Sequence, residues 1–185
     1  MPKTQYYTAT SLDGYIADDD TSLDWLFEVE RASGEEDFVR FFGDVGAMAM
    51  GATTYEWVLD QERLLDHPEK WHAYYGDAPC WVFTHRTLPS IPGVALHFVK
   101  GDVAPVHREM TRAAADKNIW LVGGGELVGQ FADRTLLDEI LVGIAPVTLG
   151  SGAPLLPRRL TTTDLELVDV VRDEQFVRLT YRLRN

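Results

Sequence analysis

An apolar run of strand length that stops at a glycine and turns at once into a helical pattern is the feature that most restricts this chain. It stands at residues 47–59, where AMAM runs into GATTYEWVL, and again at 119–131, where IWLV runs into GGGELVGQF. Parallel strands cannot be joined by a two-residue turn and need a crossover, usually helical, so such units read as pieces of an α/β sheet.

The rest of the chain supplies the neighbours. Residues 5–10 read as a first strand that ends at the turn Leu12-Asp13-Gly14, with apolar character resuming at 15–17 before the acidic stretch 18–20. Residues 35–42 read as a short helix with an acidic first turn, closed by Gly43, and Thr53 or Thr54 caps the next helix. Strands are expected at 80–84, 95–99 and 139–144, helices at 103–117 and 126–131, and a hairpin from 165–171 to 176–182. The expected architecture is one domain over 1–185: a mostly parallel central sheet, helices on both faces, and an antiparallel hairpin at one edge.

Composition narrows the function classes. With 45% hydrophobic and 25% charged residues and no Pro/Gly/Ser-rich linker, disordered and fibrous classes drop out. No apolar run reaches membrane-spanning length and the N-terminal residues lack a signal-peptide core, so a cytoplasmic protein with no membrane partner is expected. Cys80 is the one cysteine, which excludes an internal disulfide and a cysteine-rich metal site, and no metal is expected. A net charge of −12 opposes nucleic-acid binding and turns the search to local anion sites.

Three such places follow strands. In MGATTY, Gly51 allows close approach, and the N–H groups and hydroxyls at Thr53 and Thr54 suit a phosphate at a helix N-terminus; an ordinary capped helix reads the same way. In VFTHR, Thr84, His85 and Arg86 end a strand, and Arg86 can grip a phosphate bidentately or simply be solvated. In GGGELVGQF, Val128 stands where a G-x-G-x-x-G fingerprint would have its last glycine, so this is not a Rossmann motif. Three adjacent glycines are nevertheless entropically costly, and close approach to a pyrophosphate is the simplest reason for them.

In their order and spacing, ATSLDGYIA, MGATTY, VFTHR, LVGGGELVGQF and DEILVGIAPVTLGSGAPLLP resemble the dihydrofolate reductase superfamily, in its branch holding the C-terminal reductase domain of bifunctional riboflavin biosynthesis proteins. The resemblance implies a dihydrofolate-reductase-like fold and NADPH as cofactor. It implies that Ala9 and Ile16 flank the nicotinamide and that Gly51, Thr53 and Thr54 hold the pyrophosphate from one helix start. Gly124, Gly125, Glu126 and Leu127 hold it from the other. Thr84, His85 and Arg86 match the segment receiving the 2′-phosphate. The loop carrying Thr148, Gly150, Ser151 and Gly152 matches the part that lies near the substrate's ribose phosphate in riboflavin-pathway reductases, and a homodimer is implied, with the 165–182 hairpin a plausible contact.

The expected activity is transfer of a hydride to a small pterin- or pyrimidine-like heterocycle, which needs no protein nucleophile. Candidate catalytic residues are Asp13, Tyr55 and Glu56, with Asp24 and the helix-start acids at 35–37 as further proton sources, each having a plain structural alternative. Trp25, Tyr55 and Trp57 are candidates for an aromatic wall, at least one of them belonging to the core. Competing readings are a non-catalytic nucleotide-binding module with the same fold, and a phosphate-ester-binding protein using another nucleotide.

Overall fold

The structure, a computed structural model, describes residues 2–29 and 34–184, and the Glu35 side chain lies outside what is described. An eight-stranded sheet organises it, in the order β5-β4-β3-β6-β1-β7-β10-β9. The six strands β1 (Thr4–Thr10), β3 (Val45–Gly51), β4 (Cys80–Phe83), β5 (Leu96–Val99), β6 (Asn118–Gly123) and β7 (Glu139–Ile144) run parallel. The hairpin β9 (Leu165–Asp173) and β10 (Phe176–Leu183) closes one edge antiparallel to β7. The expected mixed α/β architecture is what the chain adopts.

Alternation along the strands divides two cores. Ala47, Ala49, Trp81, Ile119 and Leu121 face a cluster built with α5 (Val103–Ala114) and α6 (Gly125–Asp133). Their neighbours Met48, Met50, Cys80, Val82 and Trp120 face the opposite cluster, under α2 (Gly34–Gly43), α3 (Ala52–Glu62) and α4 (Glu69–Tyr75). Strands buried on both faces have no polar side to show, which is why they read as continuous apolar runs. Cys80 is fully buried, and its thiol is pushed far above the ordinary range by that burial.

Several boundaries differ from the sequence-based expectation. Gly51, in extended conformation, is the N-cap of α3, so Thr53 and Thr54 sit inside its first turn rather than capping it. The helix expected over 103–117 stops at Ala114, where Ala115 leaves the helical region with φ of 54°. Two short helices, α1 (Asp24–Phe27) and α4, were not expected, nor was the small sheet of β2 (Tyr15–Ala17) with β8 (Ala153–Pro154). Among the described residues no helix is long and apolar enough to cross a membrane.

Leu121 is fully buried on the central strand β6. Its truncation to alanine should therefore lower stability by about 2–5 kcal/mol, read as a shift of the urea midpoint at unchanged slope.

Candidate functional site

The C-terminal ends of β1, β3 and β6 meet the starts of α3 and α6, and a cleft opens there in two joined halves. One half, about 520 Å³, is lined by Ile16, Thr53, Gly124, Gly125, Glu126 and Pro154 among others. The other, about 390 Å³, is lined by Tyr7, Ala9, Phe38, Trp57, Asp37 and Arg178 among others. Thr8, Leu23, Thr54, Trp57 and Val122 border both, so the halves share a wall. A wider groove of about 630 Å³ beside Glu56, Asp60 and Arg63 lies on the far side of α3, away from the strand ends.

The first half is bordered by two helix starts. Both helices that point into it have glycine N-caps, Gly51 and Gly124, so no cap side chain competes for their first-turn N–H groups. On α5, which starts away from the cleft, Asp102 caps conventionally by accepting from the Ala104 N–H. The first turn of α3 carries no acid, and the one in α6, Glu126, is held by Arg158 at 2.7 and 2.9 Å. A hydrogen bond from that guanidinium keeps the Glu126 carboxyl below the usual range.

The triple glycine has packing reasons that the sequence alone did not show. Gly124 turns the chain with φ of 91°, a conformation that favours glycine. A Cβ on Gly125 would lie 2.3 Å from the Pro154 carbonyl oxygen and 2.6 Å from that of Leu155. A Cβ on Gly123 would press on Thr54 at 3.1 Å. At Gly125 the chain's own backbone at 154–155 makes a close approach, beside the pyrophosphate approach that the sequence suggests.

The second half is an aromatic slot. Tyr7 stacks on Phe41 with centroids 4.4 Å apart, Phe38 meets Trp120 edge-on, and Phe27 lies parallel to Trp57 at 6.4 Å. At its side Arg178 of β10 donates to Asp37 of α2, with side chains 24% and 13% exposed. Burial disfavours the Arg178 charge, yet the Asp37 hydrogen bond and charge more than offset it and hold its pKa up.

The expected catalytic residues are not brought to this cleft. Tyr55 is fully buried in the core beneath α3, edge-on to Phe98, donating its hydroxyl to the Pro89 carbonyl at 2.7 Å. Burial drives its phenol pKa far up. Glu56 lines a surface depression that adjoins the cleft at Thr21, Thr53 and Trp57, and it accepts from both terminal guanidinium nitrogens of Arg86, at 2.9 and 2.6 Å. Asp13 accepts from the Ser11 hydroxyl at 2.6 Å and from the backbone N–H groups of Leu149 and Gly150 at 3.1 and 2.7 Å. These bonds, led by the one from Ser11, lower its pKa and make it a clamp between two loops.

The cofactor candidates fare differently. Ala9 borders the aromatic half, and Ile16, Thr53, Thr54, Gly124, Gly125 and Glu126 border the other. Leu127 points its side chain into the core, leaving its backbone N–H in the first turn of α6. His85 and Arg86 are exposed beyond β4, and Thr84 closes a local turn by accepting from the Arg86 N–H. Of the three aromatic candidates only Trp57 lines the cleft; Trp25 packs with Ala145 and Phe176. Asp37 lines it, whereas Asp24 borders the surface depression that adjoins it at Thr21, Thr53 and Trp57. The pairing of Asp37 with Arg178, 141 positions apart, had no sequence signal.

Comparison with known proteins agrees with this fold. The RibD C-terminal domain family matches residues 57–178. YwjB of Bacillus subtilis (strain 168), an uncharacterized protein, is 34% identical over 179 residues, covering 97% of each chain. A Shewanella sp. PV-4 protein named for riboflavin biosynthesis superposes with TM-score 0.79 at 24% identity, covering 99% of each chain. Dihydrofolate reductase of Enterococcus faecalis, solved with NADP(H), superposes with TM-score 0.63 at 14% identity, covering 99% of this chain and 97% of that one.

Two outcomes follow from the reassigned residues. Tyr55→Phe should cost about 0.5–1.5 kcal/mol in a denaturant titration, the worth of one hydrogen bond. Asp13 has a lowered folded-state pKa, so its contribution is complete above the ordinary Asp value of about 3.9 and is lost as pH falls through the folded value. Asp13→Asn should accordingly lower the protection of the Leu149 and Gly150 amides from hydrogen exchange at pH 6, and abolish the acid-induced loss of protection, relative to intrinsic rates, expected of the parent.

Proposed function

The chain belongs to the RibD C-terminal domain family, and from that premise we propose that it is an NADPH-dependent reductase delivering a hydride to a small pterin- or pyrimidine-like heterocycle. The observation that carries the reading is the two-part cleft: a half flanked by two glycine-capped helix starts, joined to a half lined by aromatic rings. The residues present fit the cofactor. First-turn N–H groups of α3 and α6, with the Thr53 and Thr54 hydroxyls, would hold its pyrophosphate, and Ala9 and Ile16 would border its nicotinamide. Thr84, His85 and Arg86 would receive the 2′-phosphate, with Glu56 as a competitor for Arg86.

When bound, the cofactor supplies the hydride. The chain's own work is to position two planar rings against the Thr8–Val122 wall and to keep bulk water out of an apolar slot. Asp37, a carboxylate lining the aromatic half, is ion-paired with Arg178, and an ionised carboxylate only accepts hydrogen bonds. The proton that completes reduction then comes from water at the open mouth. We also assign a second copy of this chain to the hairpin, whose Leu167, Val168, Val170 and Val177 are exposed.

The deciding measurement is tryptophan quenching on titration with NADPH and with NADH, in the parent and in Arg86→Ala. NADPH should bind more tightly, and the variant should lose that preference by roughly tenfold, about 1.4 kcal/mol, a modest figure because Glu56 already occupies the guanidinium. Equal affinity for NADPH and ATP would instead favour a general nucleotide-binding module, and no quenching by either nicotinamide cofactor would overturn the reading.

A further inference from the structure

The start of α6 carries a charge that the start of α3 does not. The first turn of α3 has no acid, whereas α6 has Glu126 as its second residue, beside the N–H groups that would hold the pyrophosphate. The helix dipole that would draw a phosphate draws a carboxylate there equally well. Glu126 also borders the first half of the cleft. Left alone, it would be both a like charge facing the ligand and a tethered rival for its donors.

Arg158 meets this carboxylate from the segment that crosses α6. Its two terminal nitrogens donate to the two Glu126 oxygens at 2.9 and 2.7 Å, and its Nε donates to the Asp133 oxygens at 3.0 and 2.9 Å. One terminal nitrogen donates in addition to the Pro157 carbonyl at 2.9 Å, so every guanidinium nitrogen is engaged. The Arg158 side chain is 21% exposed, against 57% for Arg86, and Gly129 leaves the space in which its guanidinium lies. Asp133 closes the far end of α6. At about 1.5 Å per residue it lies roughly 10 Å along the axis from Glu126, farther than the screening length of about 8 Å at physiological salt. Glu126 is therefore the carboxylate through which Arg158 can act on the cleft.

We propose that Arg158 is a positioning residue for the dinucleotide: by engaging both oxygens of Glu126 it keeps the first-turn N–H groups of α6 available to a diphosphate. This rests on the reductase reading and adds to it a residue 32 positions from its partner, which no anion-site pattern in the sequence marks. An Arg158 that merely pinned residues 154–158 over α6 would behave differently. Its loss would not be recovered by neutralising Glu126, because that change removes one of the pins as well.

The test is calorimetric titration of NADPH, ADP and inorganic diphosphate into the parent, Arg158→Gln, Glu126→Gln and the double variant, at physiological ionic strength. Arg158→Gln should weaken ADP and NADPH by roughly three- to fivefold, the size of a charge effect at a helix terminus. The double variant should return to within about twofold of the parent, and Glu126→Gln alone should bind about twofold or more tightly, its guanidinium partner being freed. No loss in Arg158→Gln, or a loss that the second substitution does not recover, would overturn the proposal. Should Arg158→Gln fail to fold, as judged by circular dichroism, Glu126→Gln decides: tighter binding supports the proposal, and equal or weaker binding overturns it. ADP and diphosphate following this pattern while NADPH does not bind would sink the reductase reading and leave the role of Arg158 standing. NADPH binding to the parent with no loss in Arg158→Gln would do the reverse.

Discussion

The contact on which the site depends is the passage of residues 154–155 over Gly125, with carbonyl oxygens closer to the Cα than any side chain allows. That passage fixes where α6 begins and makes Pro154 a wall of the first half of the cleft. It is held from three directions. Tyr6 donates its hydroxyl to the Leu155 carbonyl at 3.1 Å from the central strand β1, β8 pairs with β2, and Arg158 reaches back across α6 to Glu126 and Asp133. Gly129 matters to the last of these, because a Cβ there would lie 2.7 Å from the Arg158 guanidinium carbon. Glycine spacing along α6 thus serves the strap that crosses it, and the strap in turn shapes the cleft.

Charge pairing sets the terms on which so acidic a chain could take an anion. Arg86 is held by Glu56, Arg178 by Asp37, and Arg158 by Glu126 and Asp133. An incoming anion must compete with a covalently tethered carboxylate at each of these. At the glycine-capped starts of α3 and α6 it would meet backbone dipoles, whose partial positive charge needs no counter-ion, with Glu126 in the first turn of α6 already held by Arg158. On the proposed reading, the helix starts are the places where a diphosphate would find least competition.

Much of the fold was legible because strands buried on both faces leave continuous apolar runs and each crossover leaves a helical period. The glycine-ended runs at 47–51 and 119–125 were therefore readable, and with them the cleft's position. What escaped detection depends on direction rather than on type. Tyr55, Trp57 and Val58 are all apolar neighbours on one helix, and periodicity does not say that Tyr55 meets the core at Pro89 while Trp57 meets the cleft. Helix α4 begins at a proline-led turn in a stretch of mixed charges and aromatics, and α1 is only four residues long. Asp13 belonged to a turn signal, but its second loop lies 136 positions away.

The Asp37–Arg178 pair shows how function can be separated from stability in such a cleft. Two apolar side chains of the same volume would fill the space between α2 and β10 with equal or greater stability, since taking two ions out of water offsets most of their attraction. Removing one partner alone would leave a charge among rings, which is far worse. A pair of this kind adds little to folding, yet it sets a carboxylate acceptor beside a guanidinium donor in a slot otherwise lined largely by rings.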